Sequence, residues 1–249
     1  MKITRLGGGE RGRICAQLLS CELSLCDRGF SELFILPIPT TKDKIKINGT
    51  DTTLDEVIAL LREGVAVAGY GIPIDIKARM EAVGALVYDA AYDERFLVEN
   101  AKITAHGAIC RILTETNRDA EELKIGIIGY GRIGSVLSEL LLYIGARVVI
   151  YTNNEEKLML LGGSGVDVRS TSELDISDLD ILVNTAPKTL VSEEKEIAFL
   201  NRGGKIIDLA SGKNFTQEGV TVLSSIPDKM YPQSAGGLYA RHIKRALVK

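Results

Sequence analysis

Short apolar runs alternate with amphipathic stretches along nearly the whole chain. That alternation prescribes βα units, with parallel strands joined by right-handed crossovers. The runs KITRL (2–6), LFILPI (33–38), VAVAGY (65–70) and ALVYD (85–89) form a first series. KIGII (124–128), RVVIY (147–151), VDVR (166–169), DILVNTA (180–186), KIIDLA (205–210) and TVLS (221–224) form a second. Helices are expected between them, over 11–25, 74–84, 132–145 and 192–200, with another opened by Thr53 and Glu56 at capping-box spacing. The pattern predicts an α/β fold of two lobes. Residues 1–100 form a smaller N-terminal α/β domain on the substrate side, and 101–249 a Rossmann-type, doubly wound parallel sheet. Helices over 104–117 and 234–249 are expected to bridge the lobes, each starting at an N-cap, Thr104 and Ser234.

Composition excludes several classes. The 249 residues are 45% hydrophobic and 25% charged, with a net charge of −3 and no run of five like charges, so a nucleic-acid surface is not expected. No apolar run reaches the roughly 18 residues a membrane span needs, and MKITRLGGGE turns to glycine before any secretory apolar segment develops. Cys15, Cys21, Cys26 and Cys110 make no C-x-x-C pair, and His106 and His242 are the only histidines. The expectation is a cytoplasmic protein with reduced thiols, no metal site and no membrane partner.

GIIGYGRIGSVL (126–137) carries the chemistry. Gly129, Gly131 and Gly134 read G-x-G-x-x-G between an apolar strand and an amphipathic helix that Arg132 and Ile133 open. In that setting the first glycine permits the turn, the second lets a pyrophosphate approach, and the third lets helix and strand pack. The free N–H groups of the helix start favour the anion. A glycine-rich turn kept for packing is the alternative. The next strand ends in Thr152, Asn153 and Asn154, where an acid usually holds the adenosine ribose. None of these repels a 2′-phosphate, and Lys157 follows one turn later, so NADP is preferred over NAD. Glu155 and Glu156 are expected in the first helical turn, where the helix dipole favours acids. Ligands of doubly wound sheets lie beyond the carboxyl ends of the strands. That places Thr185, Ala186 and Pro187, with Asp208 and Ser211, beside the nicotinamide end.

Four segments together resemble the dipicolinate synthase A family, within the NAD-binding fold of the D-2-hydroxyacid dehydrogenases. They are 36–49, 92–109, 129–146 and 206–240, which include the T-A-x-G-A segment at 104–108 and the P-x-K-x-x-P-x-S-A-G segment at 227–236. Asp228 stands where the family has a glycine, and His106 where it has an acid. The resemblance implies nicotinamide-dependent conversion of a dihydrodipicolinate-type dicarboxylate to dipicolinate in spore formation. It implies a flavoprotein-like partner, the B component of the same synthase. A homodimer is the common assembly of such folds. A dicarboxylate calls for cations or helix N-termini, which makes Arg11, Arg13, Thr104 and Ser234 substrate-binding candidates. Asp208, Ser211, His106 and Lys229 are the catalytic candidates, Asp208 as buried orienter or proton acceptor. His242, among Arg241, Lys244 and Arg245, reads as a surface residue. Two other readings stand beside this one. A nucleotide-binding regulatory protein without catalysis is one; a hydrolase of the adenosylhomocysteine type is disfavoured by the short first lobe.

Overall fold

The computed structural model describes residues 2–23 and 32–247. The chain divides into two units, Met1–Asn100 with Pro227–Lys249, and Ala101–Ile226.

The first unit opens with β1 (Lys2–Arg5), α1 (Glu10–Leu23) and β2 (Glu32–Ile35). It continues with α2 (Leu54–Leu60), β3 (Val65–Gly69), α3 (Ile74–Ala82) and β4 (Leu86–Asp89). The strands pair in parallel in the order β1-β2-β3-β4. α2 starts where the capping box requires: Thr53 accepts from the Glu56 N–H, and Glu56 accepts from the Thr53 N–H. α2 and α3 place Val57, Ile76 and Met80 over Phe34, Val65 and Val67. A long helix follows, α4 (Glu94–Thr116), whose first turn is capped by Asp93 accepting from the Phe96 N–H at 3.2 Å.

The second unit holds β5 (Lys124–Ile128), α5 (Arg132–Tyr143), β6 (Arg147–Thr152), α6 (Glu155–Gly162) and β7 (Asp167–Ser170). Then come β8 (Ile181–Asn184), α7 (Glu193–Asn201), β9 (Lys205–Asp208) and β10 (Val220–Val222). All pair in parallel in the order β10-β9-β8-β5-β6-β7. Renumbered from β5, that order is the dinucleotide-binding one, and it reverses between β5 and β8. β5 and β8 are continuous apolar runs because both of their faces are covered. On one face α5 lays Leu137 and Leu141, one turn apart, over Ile125, Ile127 and Ile150. On the other, Phe199 of α7 packs with Val149, Leu182 and Ile206. Each fully buried leucine in such a layer is worth about 1.5–3 kcal/mol.

α8 (Ile226–Met230) and α9 (Pro232–Leu247) end the chain and cluster with the first unit, not with the Rossmann sheet as the sequence suggested. α9 packs on α1, so closely that a Cβ on Gly236 would come within 2.8 Å of Ile14. Two expected helix starts are also displaced. α4 begins at Glu94, which leaves Thr104 buried in mid-helix and His106 exposed there. α9 begins at Pro232, the residue best suited to a first helical position, so Ser234 lies inside the first turn. Neither Thr104 nor Ser234 is an N-cap, and the anion sites expected of them do not form. Among the described residues, no helix is long and apolar enough to cross a membrane.

Candidate functional site

The switch point of the second sheet is built by three loops. After β5 the chain turns at Gly129, whose φ of +95° suits glycine alone, and its N–H bonds the Tyr151 carbonyl at 2.8 Å. A Cβ on Gly129 would meet Thr185 Oγ1 at 2.6 Å. One on Gly134 would meet the Gly129 carbonyl oxygen at 2.1 Å, so only glycine lets α5 start this close to β5. Gly131 differs, since a Cβ there would face open space. It is the N-cap of α5 and supplies no capping side chain. The three glycines thus divide the work as the motif requires: turn, ligand approach and packing. Arg132 is exposed on the first turn of α5, and Ile133 beside it is half-buried.

After β8, Thr185 turns back onto β5. Its hydroxyl donates to the Ile128 carbonyl at 2.9 Å. Asn184 and Asp208, at the ends of neighbouring strands, are both buried. The Asn184 amide donates to Asp208 Oδ1 at 2.9 Å, and its oxygen accepts from the Ala186 N–H. Asp208 also accepts from the Ala210 N–H at 3.1 Å and from the Asn214 amide at 3.1 Å on Oδ2. Its carboxylate is therefore an anchor for two loops. Ser211, next in line, is exposed.

A pocket of about 240 Å³ lies against these loops. Gly129 and Gly131 line it from the glycine loop, and Ala186 from the loop after β8. Thr152, Asn153, Asn154 and Lys157 line it from the end of β6 and the start of α6. Seven of the residues assigned to the cofactor thus share one pocket, whereas Arg132, Ile133, Gly134, Thr185 and Pro187 do not line it. Asn154 is the N-cap of α6 and accepts from the Lys157 N–H at 3.0 Å. Glu155 and Glu156 fall in the first turn of α6, as the dipole argument requires, and do not line the pocket. Lys157 Nζ donates to the Tyr130 carbonyl and lies 5.2 Å from the Tyr130 ring centre, which ties α6 to the glycine loop. Sequence reasoning missed Tyr130, Thr171 and Lys188, which also line the pocket. Lys188 was findable, because it directly follows the N-T-A-P turn. With Lys157 it gives a lining of two lysines and no carboxylate. The residues fit a dinucleotide: an approachable glycine at the start of a helix, with cationic side chains beside it.

The remaining candidates lie elsewhere. Arg13 is exposed and pairs with Glu10 at 2.6 Å. Lys229 is exposed in α8. Arg11 is buried in the first turn of α1, and its Nε has no hydrogen-bond partner. Burial lowers the pKa of this guanidinium, and the Asp228 carboxylate offsets that most among its neighbours. Cys15, one turn on, is a buried free thiol pushed up to about 12 by burial, against the pull of Arg11. Cys110 is exposed and in no disulfide; Cys26 and the Cys21 side chain lie outside the described residues.

His242 corrects the sequence reading outright. It is buried in α9, with Nδ1 2.8 Å from Asp93 Oδ2 and Nε2 3.1 Å from Glu99 Oε1. Arg245 and the Tyr88 hydroxyl also bond Asp93, and Phe96 meets the His242 ring edge-on. The cluster fastens α9 to the start of α4 within the first unit.

The sequence model of the D-isomer specific 2-hydroxyacid dehydrogenase NAD-binding domain matches residues 95–221, just over half of the chain. The chain belongs to that family. D-3-phosphoglycerate dehydrogenase of Escherichia coli strain K12 is 32% identical over 119 residues, which is 46% of this chain but only 28% of that enzyme. The dipicolinate synthase A protein of Bacillus halodurans superposes with a TM-score of 0.79 at 17% identity, covering 100% of this chain and 98% of that one. Its Bacillus subtilis counterpart gives 0.76, also at 17% identity, covering 98% and 95%. These likenesses establish a two-unit dehydrogenase fold like that of the dipicolinate synthase A proteins. The family's NAD-binding assignment falls on the unit that holds the glycine loop and the pocket.

Proposed function

We propose that the chain is a nicotinamide-dependent oxidoreductase that converts a small, dihydrodipicolinate-like dicarboxylate to its aromatic product. The observation that carries this reading is the pocket at the sheet's switch point, where an approachable Gly131 meets a lining with two lysines and no carboxylate. When bound there, the nicotinamide supplies a hydride acceptor. Gly131 and the first-turn N–H groups of α5 would hold the pyrophosphate. Asn153, Asn154 and Lys157 would hold the adenosine ribose and accept a 2′-phosphate, so NADP is favoured over NAD. Ala186, positioned through Asn184 and Asp208, would border the nicotinamide side. Asp208 is a positioning residue in this scheme. The flavoprotein-like B component remains the partner that the resemblance implies.

The test is incubation of the purified chain with the oxidised cofactor and freshly generated dihydrodipicolinate, following reduced nicotinamide by absorbance. Turnover that depends on both supports the reading. Absence of turnover, with and without the B component, overturns it. One observation favours a second reading, a nucleotide-binding protein without catalysis of its own. The Asp208 carboxylate is already committed to Asn184, Ala210 and Asn214. Turnover by the isolated chain would dismiss that alternative.

A further inference from the structure

The pocket at the switch point takes its two lysines from opposite sides of β5. The sheet runs β8-β5-β6, so Lys157 enters from the β6 side, on α6, and Lys188 from the β8 side, on the loop that follows that strand. The two are not equivalent. Lys157 Nζ donates to the Tyr130 carbonyl and lies over the Tyr130 ring, so the glycine loop already uses one of its donors. The Lys188 ammonium makes no hydrogen bond or ion pair among the described residues. A lysine has three donors, and Lys188 keeps all of them unspent.

An unpaired lysine is ordinary on a protein surface. What sets Lys188 apart is the backbone that presents it. Its N–H donates to the Ala186 carbonyl at 2.7 Å, closing a three-residue turn on Pro187, whose ring presets φ. Before the turn, the Thr185 hydroxyl holds the Ile128 carbonyl at 2.9 Å, and the Ala186 N–H donates to Asn184 Oδ1 at 3.2 Å. After it, Val191 is buried. The turn is fixed at both ends, so a ligand that pairs with Lys188 has only side-chain rotamers left to order.

Charge decides what that ligand is. No carboxylate lines the pocket, and Asn153 and Asn154 stand at the end of β6 where an acid would hold a free ribose diol. A dinucleotide lacking a 2′-phosphate offers this lining one charged group, the pyrophosphate, and the glycine loop receives it. Lys188 is then a cation to spare. A phosphate monoester, at about −1.5 to −2 near neutrality, supplies the anion it lacks.

We propose that Lys188 is a specificity-determining residue, pairing with the 2′-phosphate of the adenosine from the β8 side of the pocket. The proposal rests on the dinucleotide reading above and carries the discrimination beyond the residues that follow β6.

The test is calorimetric titration of the full, nucleotide-free chain with NADPH, NADH and 2′,5′-ADP, which bears the 2′-phosphate without the nicotinamide. Lys188→Ala should weaken NADPH and 2′,5′-ADP about tenfold or more, the scale of a lost hydrogen bond to a charged group, and leave NADH nearly unchanged. Lys188→Arg keeps the charge and should stay near wild type. Lys205→Ala removes the same charge at the start of β9, the opposite end of the sheet, and should change none of the three affinities. Lys188 is exposed, so its variants should match wild type in urea unfolding. If NADPH and NADH both bind and Lys188→Ala leaves their ratio unchanged, the proposal is overturned and the dinucleotide reading stands. An equal loss in Lys205→Ala also overturns it, because the effect is then one of net charge. If 2′,5′-ADP binds through Lys188 while neither dinucleotide binds, the phosphate assignment stands and the nicotinamide reading fails. Binding of none of the three overturns both.

Discussion

One methyl group added at Gly134 and one added at Gly131 should have opposite consequences. At Gly134 the new carbon would sit 2.1 Å from the Gly129 carbonyl oxygen, against about 3.3 Å for an ordinary close C···O contact. The obstacle is backbone, so no side chain can swing aside; α5 must lift from β5 or the glycine loop must remodel. Overpacking of that kind costs about 3 kcal/mol, the upper end of its usual range. Helix propensity returns at most about 1 kcal/mol of this. The net loss is about 2 kcal/mol, or a fall of about 1 M in the urea midpoint. At Gly131 the new carbon meets nothing within 4 Å, and the residue has φ of −88°. Only the N-cap preference for glycine over alanine is lost, less than about 1 kcal/mol. The methyl would, however, stand where a pyrophosphate must approach, and dinucleotide affinity should fall about tenfold or more. Urea unfolding followed by circular dichroism, paired with calorimetric titration of NADPH, reads both effects. Wild-type affinity in Gly131→Ala, or wild-type stability in Gly134→Ala, would refute the division of labour assigned to the loop.

Further predictions follow from the same contacts. Lys157→Ala should weaken NADPH binding more than NADH binding, measured in the same titration, because the lysine would meet the 2′-phosphate. Asp208→Ala leaves the buried amides of Asn184 and Asn214 without this acceptor and should cost about 2–6 kcal/mol in urea unfolding, at about 1–3 kcal/mol per unsatisfied group. His242→Ala removes two ring hydrogen bonds and leaves a void beside Phe96 in a buried site, while Arg245 still pairs Asp93 and Arg241 still pairs Glu99, and should cost about 2–3 kcal/mol in urea unfolding. Burial pushes the Asp93 carboxyl up, but the bonds from His242, the Phe96 N–H and Tyr88 outweigh it and hold it at about 2. A depressed carboxyl stabilises the fold fully above its unfolded value near 3.9 and loses that contribution as pH falls through about 2. Acid unfolding between those limits should therefore be shallower in Asp93→Asn than in wild type.

Much of this is written in local pattern. The strand runs are legible because buried parallel strands are continuous in apolar residues, and α2 because Thr53 and Glu56 stand at capping distance. The pocket at the switch point is legible because its residues sit at loop positions that the sheet order brings together. What fails are inferences that need packing. The T-A-H-G-A segment reads as a helix start, although Asp93, three residues before Phe96, is the actual cap. The charged neighbours of His242 suggest a surface position. Yet Ala235, Leu238, Tyr239 and Ile243 recur at helical spacing, and His242 lies on their buried stripe. The return of α9 to the first unit leaves no local trace, since nothing in the sequence of α9 names α1 as its neighbour. The engagement of Asp208 is equally hidden, because Asn214 reaches it across a loop.

The most direct test of the central claim is calorimetric titration of the purified, nucleotide-free chain with NADPH and NADH in parallel. Saturable binding of both, with NADPH the tighter, is the predicted result, and it should weaken in Gly131→Ala. Binding of neither would leave the fold intact and contradict the assignment of the switch-point pocket to a nicotinamide dinucleotide.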